Sequence, residues 1–274
     1  MNARLRVVAM FVGVLAPVLL GGQSAAGQSD NHCPAGAAPE FVLGFGALHG
    51  ELGEAMGAAV SCEYADPNGT GDTLQDTTTG LAFWRKSTNT PTFTNGWEHW
   101  AVVDVGMLTW QGAGIDPPYN AHLLTPWSPA ARSRTSGCVS SNGRPDPGCT
   151  PGALDPRVTQ DNIQATICVP GYTGRVRPPT SYTTPLKRQL MAAYGLADRP
   201  LAGFELDHLI SLELGGSPRD AANLWPESWT GAMNARQKDT VENFLHQQVC
   251  DGLLALADAQ RLIAREWPRV AQER

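Results

Sequence analysis

Six cysteines, Cys33, Cys62, Cys138, Cys149, Cys168 and Cys250, constrain this chain more than any other feature. None belongs to a CxxC pair, which argues against a zinc ribbon and for disulfides. Disulfides need an oxidising compartment, and the N-terminus offers a route to one. Arg4 and Arg6 precede an apolar run from Val7 to Leu20, then Gly21-Gly22 and Ser24-Ala25-Ala26-Gly27. This is the three-part pattern of a secretory signal peptide, expected over residues 1–27 with cleavage after Ala26 or Gly27. The apolar run falls short of the ~20 residues of a membrane span. The mature chain is therefore expected to be secreted, with no stable membrane insertion. The economical pairing joins Cys33 to Cys62. The other four cysteines leave three connectivities open. Cys168–Cys250 is preferred among the pairs because it would tie the start of a C-terminal domain to its helical end.

Charge divides the chain unevenly. Residues 28–129 hold Arg85 and Lys86 against 11 acids, whereas residues 130–274 hold 16 basic and 15 acidic residues. Phosphate contact needs Lys or Arg, so any approach to nucleic acid falls to the C-terminal half. Neither half is basic enough for tight nonspecific binding. With 42% hydrophobic residues, a long disordered chain is excluded. Pro117-Pro118, Pro126, Pro129 and the stretch from Ser133 to Pro151 read as a linker or long surface loop. The expected organisation is an N-terminal module (28–116), a Pro/Ser/Gly/Arg-rich linker (117–148) and a C-terminal domain (149–274).

In the N-terminal module, Phe45, Leu48, Leu52 and Met56 recur at helical spacing. Strands are expected around Val60–Glu63, Thr79–Trp84 and His99–Val103, with turns at Asn68-Gly69 and Asn95-Gly96. This is a small α+β module. Trp84, Trp97, Trp100 and Trp110 are dense for so short a span. They could stack on a cell-wall or other extracellular polymer, but filling a small core is the favoured reading. His49 and His99 are expected to be structural. The segments Thr77-Thr78-Thr79-Gly80-Leu81-Ala82 and Trp97-Glu98-His99-Trp100-Ala101 resemble an uncharacterised module of secreted bacterial proteins.

Downstream, Asp161–Val169 reads as a strand, Leu186–Tyr194 as a helix ended by Gly195, and Phe204–Ile210 as a strand. Asn223-Leu224-Trp225 reads as a returning strand, Asn234–Val249 as a helix and Ala257–Trp267 as a final helix. The first of these two β-strands delivers Asp207 and His208; the loop Gly215-Gly216-Ser217-Pro218 follows it. Strand, loop, strand and helix carrying a carboxylate, an imidazole and amides suit phosphodiester hydrolysis around one metal ion. Histidine is a suitable base near neutral pH. A divalent ion supplies the positive charge that the phosphate and the departing oxygen need. Mg²⁺ or Mn²⁺ would take oxygen ligands, which a carboxylate and an amide provide.

Asp207-His208, Asn223 and the following helix resemble the HNH (ββα-metal) nuclease family. Residues 149–267 resemble, more closely, a set of secreted bacterial HNH proteins. The shared landmarks are Cys149-Thr150-Pro151-Gly152, Thr166-Ile167-Cys168, Glu205-Leu206-Asp207-His208, Leu212-Glu213-Leu214-Gly215-Gly216, Asn223-Leu224-Trp225-Pro226, Lys238-Asp239 and Val249-Cys250. The resemblance implies an α+β protein whose C-terminal domain is a ββα-metal nuclease. It makes His208 the general base, Asp207 a metal ligand and Asn223 the residue whose amide holds the His208 loop. Asn234 would be the second protein ligand, and Lys238 would contact the substrate phosphate. Many members of the family have histidine at the last ligand position, and His246 is the other candidate here. Counting ~100° per residue from Val241, Asn234 and Lys238 face the sheet, and His246 points ~140° away. The expected activity is metal-dependent cleavage of DNA and/or RNA. The alternatives are a non-catalytic extracellular polymer-binding protein with a degenerate nuclease domain, and a nuclease-like toxin paired with a protective partner.

Overall fold

Two apolar faces on one antiparallel sheet organise the protein. The computed structural model describes residues 31–274; the expected signal peptide, 1–27, lies outside the described residues. Helix α1 (Leu43–Leu52) leads into seven strands. These are β1 (Tyr64–Ala65), β2 (Thr73–Asp76), β3 (Leu81–Arg85), β4 (Thr90–Thr94), β5 (Glu98–Val103), β6 (Gly106–Gln111) and β7 (His122–Leu123). Each pairs with the next, giving a meander. Side chains on a strand alternate between faces. On β5, Trp100 and Val102 therefore join Phe45 and Leu48 of α1, while Ala101 and Val103 join the core of the C-terminal half.

The expected turns at Asn68-Gly69 and Asn95-Gly96 fall between β1 and β2 and between β4 and β5. Gly96 adopts φ +99°, a conformation that an L side chain rarely takes. Strands β2, β4, β6 and β7 were not expected from sequence, and the strand expected around Val60–Glu63 is replaced by the two-residue β1 just after it. Pro91 sits inside β4, which usually argues against a central strand. It is tolerated because β5 pairs with β4 only from Thr92 onward, so Pro91 faces Trp84 of β3 alone.

The segment 117–148 is not a free linker. It contains β7, and Ala121, Leu123 and Trp127 enter the same buried cluster as the C-terminal helices. Its backbone is fastened by side chains: Trp267 donates to Gly143 O (3.0 Å), and Arg134 forks onto both oxygens of Asp146 (2.6 and 2.8 Å). A few well-spaced apolar residues and many side-chain anchors order a segment whose composition suggests a loop.

The C-terminal half contains α2 (Tyr172–Val176), α3 (Thr180–Ala193), the hairpin β8 (Phe204–His208) and β9 (Leu224–Ser228), and helices α4 (Ala235–Cys250), α5 (Leu256–Arg265) and α6 (Trp267–Glu273). The strand expected over Asp161–Val169 is instead a 3₁₀ turn, Gln160–Ala165. Thr159 and Asn162 close a capping box there, and the buried Ile163 and Ile167 lie one helical turn apart. Disulfides join Cys33–Cys62, Cys138–Cys149 and Cys168–Cys250. Among the described residues, no helix is long and apolar enough to cross a membrane.

Candidate active site

The pairing of β8 with β9 sets which residues share a face. Glu205 lies opposite Glu227, and Asp207 lies opposite Trp225. Directly opposed residues in an antiparallel pair point to the same side. One face of the hairpin therefore carries three carboxylates, and α4 closes it. Lys238, on the core side of α4, lies 2.8 Å from Asp207 Oδ2, donates to His208 O (2.9 Å) and pairs with Glu242. Trp225 donates from Nε1 to Asp207 Oδ2 (3.1 Å).

The imidazole of His208 is 5% exposed. Its Nε2 lies 3.2 Å from Pro218 O, so a neutral ring with hydrogen on Nε2 keeps its lone pair on Nδ1. Burial pushes the His208 pKa down to about 4, against an opposing pull from Asp207. Asn223 is fully buried and ties the loop that follows β8. It donates to Ile210 O and Ser217 O (3.0 Å each) and accepts from Ile210 N (2.9 Å). The loop closes so tightly that a Cβ on Gly216 would fall 1.8 Å from Ile210 O.

Two expected site residues have other partners. Lys238 is 1% exposed and surrounded by carboxylates, so it balances buried charge and does not reach a surface phosphate. Asp207 and Glu242 hold its pKa well above the usual lysine range despite burial. Asn234 is the N-cap of α4. Its Oδ1 accepts from Arg236 N and Gln237 N, and its Nδ2 donates to Gly231 O. The amide that was to bind a metal is occupied in starting the helix. His246 is also away from the hairpin: its Nε2 faces Ile167 O (3.0 Å) and Cys250 Sγ (3.3 Å). The Cys168, His246 and Cys250 group is compact enough for a metal, but both sulfurs are already in a disulfide. His99 stacks on Trp110 and contacts Gly112 O, and His49 packs on Phe41.

The acidic ring around Asp207 was missed from sequence. Burial, with Asp207 next, pushes Glu205 up to about 7 and Glu227 up to about 10. Burial also pushes Glu242 up to about 8, although Lys238 opposes it. Glu205 Oε2 and both Glu227 oxygens are buried without a hydrogen-bonding partner. The signal was present in the i, i+2 spacing of Glu205 and Asp207, which puts both on one face of a strand. Carboxyl oxygens are the donor type that a hard divalent cation takes. Asp207 and Glu205 are the residues that could hold it, and Asn234 leaves that set. Comparison with family models, with curated proteins and with solved structures returns no match.

Proposed function

We propose that this protein is a secreted, metal-dependent endonuclease of the HNH type that hydrolyses phosphodiester bonds in DNA and/or RNA. One observation carries the proposal. A buried, neutral imidazole sits at the end of a β-hairpin beside a carboxylate cluster, under a helix that is locked to both through Lys238. In this reading His208 holds its Nε2–H on Pro218 O and takes a proton from the attacking water at Nδ1. Water oxygen bonds to phosphorus, a P–O bond breaks, the departing oxygen takes a proton from solvent water, and His208 then releases its proton to solvent. Asn223 keeps the loop, and so the imidazole, in register. Lys238 pairs with Asp207 and fixes the position of its carboxyl group on that face. When bound, a divalent ion would supply the positive charge that the phosphate and departing oxygen require. Three disulfides, together with the apolar leader, support an extracellular setting.

The test uses the disulfide-intact mature chain and its His208→Ala variant on supercoiled plasmid, single-stranded DNA and RNA. Nicking by the parent with Mg²⁺ or Mn²⁺, its loss in EDTA, and a 10²- to 10⁴-fold drop, roughly, in the variant support the proposal. Equal inertness of both proteins on every substrate and metal overturns it. One feature favours the alternative, a non-catalytic polymer-binding protein: Trp97, at the β4–β5 turn, is 61% exposed.

A further inference from the structure

The arginines of this protein differ in what neutralises them. Arg85, Arg265 and Arg269 line a cleft of about 1220 Å³ between the sheet and α6, and each is held by carboxylates. Around the β8–β9–α4 unit the pattern changes. Arg219 lies over the Tyr182 ring, 4.8 Å from its centroid, and Arg236 lies over Trp229 at 5.6 Å. Both arginines are exposed, and neither is paired with a carboxylate among the described residues. Their positive charge is therefore available to a ligand, and it is presented on a flat aromatic surface.

Both pairs are anchored to the candidate site. Tyr182, in the first turn of α3, donates its hydroxyl to Arg219 O (2.8 Å). The preceding residue, Pro218, receives His208 Nε2. This pair therefore stands at the His208 end of the hairpin. Trp229 directly follows β9, and its backbone N–H donates to Gly203 O (3.2 Å), at the other end of β8. Arg236 stands in the first turn of α4, on the side of the helix away from the buried Lys238. The five residues of β8 span about 13 Å between the two ends. Arg177, exposed after α2, acts electrostatically on Glu205 near one end and His208 at the other.

We propose that these two arginine–aromatic platforms bind a single-stranded polynucleotide whose unpaired bases stack on them as its backbone crosses the β8–β9 hairpin. The proposal rests on the nuclease reading of that hairpin. Bases in a duplex are already stacked and hide their faces, whereas splayed bases stack on aromatic rings and guanidinium planes. The surrounding arginines would meet the phosphates. Stacking is indifferent to base identity, so weak sequence preference is expected.

Binding is measured separately from cleavage. The mature His208→Ala protein, disulfides intact, is titrated in EDTA against labelled single-stranded DNA, single-stranded RNA and duplex DNA of about 12 nucleotides. Tighter binding of the single strands than of the duplex is expected. Tyr182→Ala and Trp229→Ala should each weaken single-strand binding about 5- to 100-fold, with duplex binding unchanged. Tyr182→Phe and Trp229→Phe should keep it, which separates lost stacking from misfolding. Arg219→Ala and Arg236→Ala should each reduce the log–log salt slope by about 0.7. Tighter RNA than DNA binding would identify contacts to the 2′-hydroxyl, and the reverse would exclude them; single-strand preference stands in both cases. Equal binding of duplex and single strand, or alanine variants that bind as the parent does, overturns the proposal. If single strands bind through these residues but the parent cuts nothing, the nuclease reading fails and the binding surface stands. If the parent cuts and the alanine variants bind and cut equally well, this surface alone is refuted.

Discussion

Lys238 owes its direction to helix periodicity and its charge to two carboxylates. At ~60° from Val241 on α4 it has to face the sheet, where Asp207 and Glu242 receive it. Removing one partner of a buried pair leaves the other charge unmatched and costs about 3–5 kcal/mol. Lys238→Met should therefore lower stability by that amount in urea unfolding, and adding Asp207→Asn should recover part of it. A variant as stable as the parent, weakened only in substrate binding, would return Lys238 to the role of phosphate contact. His208 gives a pH prediction of definite sign. Its pKa is about 4 in the fold against 6.5 without it. Between those values the unfolded chain binds the extra proton, so stability falls as pH drops through the window and the loss is complete below pH 4. The loss is roughly 3 kcal/mol. Glu205, raised to about 7, works in the opposite direction because its charging above pH 4.5 disfavours the fold. The comparison is therefore drawn against His208→Gln. The parent should lose stability relative to that variant from pH 7 to pH 4, as read by urea midpoints, and parallel curves would contradict the burial of a neutral imidazole. Residue types and spacing on β8 revealed Asp207 and His208, but not that Glu227 from another strand would crowd them.

At the scale of elements, α4 shows how one residue can satisfy two sequence readings. An asparagine at the start of a helix serves equally as a ligand and as a cap. The hydrogen bonds to Arg236 N and Gln237 N, with Gln237 returning to Asn234 N, assign it to the cap. Asn234→Ala should cost about 0.5–2 kcal/mol of stability, and Asn234→Asp, which also caps, should cost little. Neither should change the metal requirement of cleavage. A raised metal requirement, or lost cleavage, in Asn234→Ala with unchanged melting would reverse that assignment. The hairpin and the long helices were legible because their apolar residues are periodic. Strands β2 and β4 were not: Thr73–Asp76 and Thr90–Thr94 are largely polar and take their faces from their neighbours. β-Structure depends on cross-strand packing more than on local preference.

At the scale of the molecule, the two halves meet through the segment expected to separate them. Asp258 on α5 is buried and accepts from His122 Nδ1 (2.8 Å) and Leu123 N (3.0 Å) of β7. One buried cluster runs from Ala101 and Leu108 in the sheet through Trp127 to Val249, Ile263 and Trp267. A shared core of this kind should unfold as one unit. With disulfides intact, tryptophan fluorescence and far-ultraviolet circular dichroism should give coincident urea transitions. Asp258→Ala should leave Leu123 N without its partner, lower stability by about 1–3 kcal/mol, shift the common midpoint to lower urea and begin to separate the two probes. Two transitions in the parent would restore the reading of independent modules. The sequence by itself determined what is local: helix periodicity, Gly-containing turns, and the strand–loop–strand–helix order around Asp207, His208 and Asn223. Those features follow from near-neighbour geometry along the chain. Tertiary structure alone decided the charge environment of His208, the buried role of Lys238, the carboxylate ring and the union of the two halves. Each depends on which distant residues exclude water together, and spacing along a single strand or helix does not contain that information.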